Sequence, residues 1–265
     1  RKSLGLDGSE TISLIPQGEF KPMMKYEMQI TKKDGSVVTW GDNPTYYPGT
    51  IWGADSSDVV DKLSSGVKEI FANGDHGYGA AFAALKEDGS VVTWGQKGLG
   101  GNSTLVAESL RSNVSAVYSS RTAFAALKRD GSVVTWGSDY SGGNSTSVAS
   151  ALSSNVIAVH SNSEAFAALK KDGSVVTWGS DDSGGNSTSV ASGLSSNVTT
   201  VFSTGYAFAA LKRDGSVVTW GSDYSGGNST SVASSLTSNV TAVFSTGGAF
   251  AALKKDGSVV TWGRH

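Results

Sequence analysis

The chain has 265 residues, a net charge of -2 and no cysteine. Near-neutrality removes the electrostatic drive toward nucleic acid or an anionic membrane, and the missing thiols exclude disulfides, thiolate nucleophiles and cysteine–zinc sites. No apolar run approaches the ~20 residues that cross a bilayer, and 34 glycines without collagen periodicity indicate many tight turns.

From the N-terminus, the chain opens at Arg1 rather than methionine, as expected of a processed or trimmed terminus, and shows no signal peptide. Ser3–Ser13 (SLGLDGSETIS) reads as a worn copy of a motif that is clear further on. The string DGSVVTWG occurs six times, starting at Asp34, Asp88, Asp130, Asp172, Asp214 and Asp256, and the last five are spaced by 42 residues. With Asp7-Gly8 this makes seven Asp-Gly signals. Around each one, an apolar run such as AFAALKK and the segment SVVTWG predict a β-hairpin, with both turn residues expected at positive φ. Upstream, NVTTVFS predicts a third strand. Between units, SGGNSTSVASGLSSN predicts a glycine loop and about one helical turn capped by Ser or Thr.

A three-stranded unit leaves both faces to be covered by its neighbours, and closing the series radially avoids long exposed edges. The expected fold is an all-β, seven-bladed propeller of compact blades with short helical turns; six blades plus an N-terminal extension is the alternative. One domain, residues 1–265, is expected, with a degenerate first blade at 1–41 and inserted loops at 43–52 and 73–79.

The wording AALKKDGSVVTWGSDDSGG resembles the repeat of the regulator-of-chromosome-condensation (RCC) family, whose hydrophobic core, Asp-Gly turn and Trp-Gly pair precede a glycine-containing loop. The short period is similar to that of the bacterial β-lactamase inhibitory protein of that fold. The resemblance covers the N-terminal residues poorly. It implies a seven-bladed propeller and protein–protein binding.

Variation between copies falls on one edge. The turn between first and second strands reads SSRT, SNSE, STGY and STGG in successive units, and the loop after Trp-Gly reads QKGL, SDYS, SDDS and SDYS. Following the chain direction puts both at the same edge, while Asp-Gly-Ser at the other edge is constant. The interval from Asp34 to Asp88 is 12 residues longer than the period, and the surplus falls within NPTYYPGTIW and NGDHGYG at the varied edge. Departures from a repeat mark places where something beyond the scaffold was selected. The candidate partner-binding residues are therefore Tyr46, Tyr47, Trp52, His76, Tyr78, Arg121, Glu164 and Tyr206.

No catalytic constellation, metal site or cofactor is expected. Of three histidines, His160 aligns with Tyr118, Phe202 and Phe244 as a packed ring, and no base is paired with a serine nucleophile. The repeated tryptophans, from Trp40 to Trp262, are expected between blades. Sequons at Asn102, Asn113, Asn144, Asn186, Asn197, Asn228 and Asn239 multiply with the repeat. The expected function is a non-catalytic protein-interaction scaffold, such as an accessory subunit of a larger assembly, that binds a protein partner through loops on one propeller face, with no nucleic acid and no membrane insertion. A multivalent carbohydrate-binding or adhesion propeller and a guanine-nucleotide exchange factor are the alternatives.

Overall fold

A computed structural model describes residues 27–31, 35–41, 55–75 and 79–264. The described residues form one two-stranded and five three-stranded antiparallel sheets, arranged like propeller blades. The first sheet pairs β1 (Glu27–Thr31) with β2 (Val37–Gly41). The second holds β3 (Val67–Asp75), β4 (Gly79–Lys86) and β5 (Val91–Gly95). The third holds β6 (Val114–Ser119), β7 (Ala123–Lys128) and β8 (Val133–Gly137), and the fourth β9 (Val156–Ser161), β10 (Ala165–Lys170) and β11 (Val175–Gly179). The fifth holds β12 (Val198–Ser203), β13 (Ala207–Lys212) and β14 (Val217–Gly221), and the sixth β15 (Val240–Ser245), β16 (Ala249–Lys254) and β17 (Val259–Gly263).

The apolar run AFAAL is continuous because the middle strand is buried on both faces. In the third sheet Ala123, Ala125 and Leu127 lie beneath Leu152, Val156, Val159, Phe166, Ala168 and Trp178 of the next unit, while Phe124 and Ala126 pack backwards with Trp136. The same interface recurs between the fourth and fifth and between the fifth and sixth sheets. Alanine on one face lets the neighbour approach; on the other, Phe and Trp meet across the register and stack at 5.2–5.4 Å. The expectation of tryptophan between blades holds for Trp94, Trp136, Trp178, Trp220 and Trp262. Four of the tryptophans also donate a hydrogen bond backwards, Trp136 Nε1 to Gly100 O, Trp178 to Gly142 O and Trp262 to Gly226 O at 3.0 Å and Trp220 to Gly184 O at 3.1 Å.

The hairpin turns differ from the sequence reading. Only the glycine is left-handed (Gly131 φ 80°, Gly173 φ 80°), and the aspartate is not. Lys128 accepts from Gly131 N and pairs with Ser132, which leaves a three-residue loop ending in a left-handed glycine. The aspartate is there for its side chain: Asp130 Oδ1 accepts from Ser132 N at 2.9 Å and Ser132 Oγ at 2.7 Å. This accounts for the constancy of Asp-Gly-Ser. The glycine also faces the next unit, since Gly131 O accepts from Val156 N at 2.9 Å and a Cβ on Gly131 would stand 2.8 Å from Asn155 N.

Hydrogen bonds from the following serine's hydroxyl, and then from its backbone N–H, hold the carboxyls of Asp88, Asp130, Asp172, Asp214 and Asp256 below the usual carboxylate range. A depressed folded-state value makes this contribution complete above the unfolded carboxylate range and lost as pH falls through the folded value. Changing the five serines (Ser90, Ser132, Ser174, Ser216, Ser258) to alanine is therefore expected to flatten the acid limb of the stability–pH curve, as read by thermal melts between neutral pH and pH ~2.

The helical turns are also capped otherwise than expected. No Ser or Thr side chain caps them; Asn144 Oδ1 accepts from Thr146 N and Asn186 Oδ1 from Thr188 N, both at 3.0 Å. Asn113, Asn155, Asn197 and Asn239 take left-handed φ of 63–66° before the first strands, a conformation asparagine tolerates well. The asparagines of the sequons thus have conformational roles, and all seven are exposed.

Candidate recognition edge

Two sets of hydrogen bonds assemble the varied edge. The first ties the strand-one to strand-two turn of the second to fifth sheets to the loop after the third strand of the same sheet. Ser120 Oγ donates to Ser141 O (2.8 Å), Asn162 Nδ2 to Ser183 O (2.7 Å) and Thr204 Oγ1 to Ser225 O (2.8 Å). In the second sheet Asn73 Nδ2 donates to Leu99 O at 2.7 Å. The two varied segments therefore share one edge, with Asp-Gly-Ser at the opposite end of the hairpins.

The second set links successive turns. Gly74 N donates to Arg121 O, Arg121 N to Ser163 O, Ser163 N to Gly205 O and Gly205 N to Gly247 O, at 2.8–3.0 Å. Below them Ser119 Oγ donates to Ala72 O, Ser161 Oγ to Ser119 O and Ser203 Oγ to Ser161 O, at 2.8–3.1 Å. First strands of successive sheets thus lie side by side, and five turns form a continuous rim.

Three predicted residues meet on that rim. Arg121 Nη2 donates to the Tyr206 hydroxyl at 2.6 Å, across 85 residues of chain, and the guanidinium lies 5.8 Å from the Tyr206 ring centroid. Arg121 Nη1 stands 3.8 Å from Glu164 Oε1, and Glu164 Oε2 accepts from Ser183 Oγ at 2.9 Å. With side-chain exposures of 28% for Arg121 and 16% for Glu164, the pair is held largely by its surroundings yet reachable from solvent. Three turns that differ from the repeat contribute one side chain each to a single patch.

At the segment expected as an inserted loop, 73–79, the flanking strands run on to Asp75 and from Gly79, and residues 76–78 lie outside the described residues. Asn73, Gly74 and Asp75 pair with Ala81, Ala80 and Gly79, three pairs beyond the reach of the other units. Tyr46, Tyr47, Trp52, His76 and Tyr78 lie outside the described residues. Tyr140 and Tyr224, 61% and 85% exposed on the loops after Trp-Gly, were not among the predicted site residues. Their signal was present, since both occupy the third place of the varied SDYS loops.

His160 is half-buried, and burial lowers its pKa, which favours the neutral packed ring. Among the described residues no three histidine, aspartate or glutamate side chains gather where they could hold a metal ion, and no helix is long and apolar enough to cross a membrane. A groove of about 910 Å³ runs along β5, lined by Asp55, Lys62, Asp88, Trp94 and Asn102 among others.

No protein-family model and no curated protein matches the sequence. Among solved structures, human WBSCR16, an RCC1-like protein, matches 90% of this chain and 74% of its own at 18% identity, with a TM-score of 0.51. The fold is that of an RCC-type propeller. Yeast RCC1 (Prp20), solved bound to Kap60, matches at 14% identity over 90% of this chain and 68% of its own, with a TM-score of 0.47. A second structure of Saccharomyces cerevisiae Prp20p, described with its binding to Gsp1p and histones, matches at 16% identity and a TM-score of 0.46, and this chain covers 57% of it. In this RCC-type propeller the repeat builds the interfaces, and the departures from it lie on the rim.

Proposed function

We propose that the chain is a non-catalytic protein-interaction scaffold, a single domain over residues 1–265, that binds a protein partner through its varied edge. It serves as an accessory subunit or as a transient binder. The observation that carries this reading is the convergence of Arg121, Glu164 and Tyr206 from three consecutive turns, each replacing a small or hydroxylated residue of the repeat. Partly exposed arginine and tyrosine held by neighbours suit a binding hot spot, because little rotamer freedom remains to be lost on association. Tyr46, Tyr47, Trp52, His76 and Tyr78 belong to the same proposed surface by their place in the sequence.

The test is gentle purification from the native source with identification of the accompanying protein, followed by titration. Tyr206→Ala is expected to weaken that partner by about 2 kcal/mol, roughly thirty-fold. Arg213→Ala, at an exposed Asp-Gly-Ser turn on the other edge, is expected to leave affinity unchanged. Equal losses for both variants, or none for Tyr206→Ala, would remove the varied edge from the account.

A further inference from the structure

The loop after Trp-Gly keeps one backbone while its third place changes. Gly98 holds that place in the second sheet, Tyr140 in the third, Asp182 in the fourth and Tyr224 in the fifth. In all four a short helical turn closes on a left-handed glycine: Gly100, Gly142, Gly184 or Gly226. Glycine and aspartate therefore satisfy the scaffold, and the two tyrosines add nothing to its core, being 61% and 85% exposed. The residues after them are fixed. Ser141 and Ser225 are buried, and their carbonyls accept from Ser120 Oγ and Thr204 Oγ1. A ring held out in water by an anchored loop has little backbone freedom left to lose when a partner covers it.

The charge on this edge is one-sided. Asp139, Asp181, Asp182 and Asp223 are exposed, and none has a basic partner among the described residues. Arg121, the one base in the turns and loops of the third to fifth sheets on this edge, is engaged with Tyr206 and Glu164. The cations stand at the opposite edge, where Arg129, Lys171, Arg213 and Lys255 are exposed beside the Asp-Gly-Ser turns. A net charge of -2 thus conceals two edges of opposite sign. The third to fifth sheets have described neighbours on both sides, so the patch does not depend on either end of the chain.

We infer that this patch takes a cationic segment of the protein partner, with arginine or lysine side chains over Tyr140 and Tyr224 and against Asp182, which lies between them in sheet order. The inference rests on the reading of the varied edge as the recognition surface. A ring face attracts a cation, and an adjacent carboxylate neutralises it. Glu164 Oε2, held by Ser183 Oγ at 2.9 Å, brings a further carboxylate to the loop of Asp182. Nucleic acid is repelled by this sign of charge, and a neutral sugar gains nothing from it.

The test is a fluorescence-anisotropy titration of the 265-residue chain with a labelled arginine–glycine repeat peptide at low and at physiological salt. Saturable binding that weakens with salt is expected. Tyr140→Asp combined with Tyr224→Asp puts at both places the residue that the fourth sheet already carries, so folding is expected to persist. That variant is expected to weaken the peptide about ten-fold although it adds negative charge. Asp182→Asn is expected to weaken it about three-fold, and Lys171→Glu at the opposite edge to leave it unchanged. Absence of saturable binding, tighter binding by the double tyrosine variant, or preference for a neutral oligosaccharide would each overturn the inference. The same variants are then titrated with the captured partner. A partner that protects the rim but is indifferent to these substitutions overturns the cationic segment and leaves the recognition edge standing; a partner that avoids the rim overturns both.

Discussion

Phe166→Ala is expected to destabilise the protein by about 3–5 kcal/mol, measured by urea unfolding with the m-value held as a check on two-state behaviour. Phe166 is 0% exposed and stacks on Trp178 with ring centroids 5.2 Å apart. It sits where the fourth sheet meets Ala123, Ala125 and Leu127 of the third. Truncation removes the ring from that interface and leaves a cavity whose walls are the backbones of two sheets, which cannot collapse around it. The effect should exceed that of Phe244→Ala, because Phe244 is 61% exposed and loses little burial. Comparable costs for the two would mean that packing between successive sheets does not dominate stability.

Gly142→Ala is expected to cost about 2–4 kcal/mol although it adds only one methyl group. Gly142 has φ 92°, outside the range that alanine adopts without strain. Its added Cβ would stand 2.6 Å from Phe166 Cδ2 and 3.3 Å from Trp178 Cδ1, two buried rings that have no room to retreat. The carbonyl of Gly142 also receives the Trp178 Nε1 hydrogen bond. One glycine therefore joins the loop of the varied edge to the core of the next unit. Loss of stability there should be accompanied by weaker partner binding, read as a shift in denaturation midpoint and in the dissociation constant of the captured partner. Gly98→Ala, where an added Cβ meets nothing within 4 Å, serves as the control.

How much of this was legible beforehand follows from what repetition encodes. Six copies of DGSVVTWG displayed the hairpins, and the continuous AFAAL run displayed a strand buried on both sides, so the sheets and their order were readable. The shared edge of the two varied segments was readable as well, because strand direction alone decides it. What the copies concealed was the reason for their constancy. Asp-Gly-Ser looked like a demand for positive φ at two residues, yet only the glycine is left-handed and the aspartate serves as an acceptor for serine. Likewise Asn144 and Asn186 looked like duplicated sequons, and their oxygens cap helical turns. In both cases side-chain hydrogen bonds do the work that composition suggested for the backbone. Arg121, Glu164 and Tyr206 were each chosen as single departures from the repeat, but their meeting was invisible, because contact across 85 residues depends on how successive sheets turn about one another. Tyr140 and Tyr224 were hidden because SDYS recurs in two units and so reads as part of the repeat.

Hydrogen–deuterium exchange of the protein with and without its captured partner tests the central claim, that one edge of the propeller is the recognition surface. Bound partner is predicted to slow exchange in peptides spanning 117–124, 159–166 and 201–208, and to leave the Asp-Gly-Ser turns at 128–132, 170–174 and 212–216 unchanged. Protection at the Asp-Gly-Ser turns with none at the rim would contradict the account.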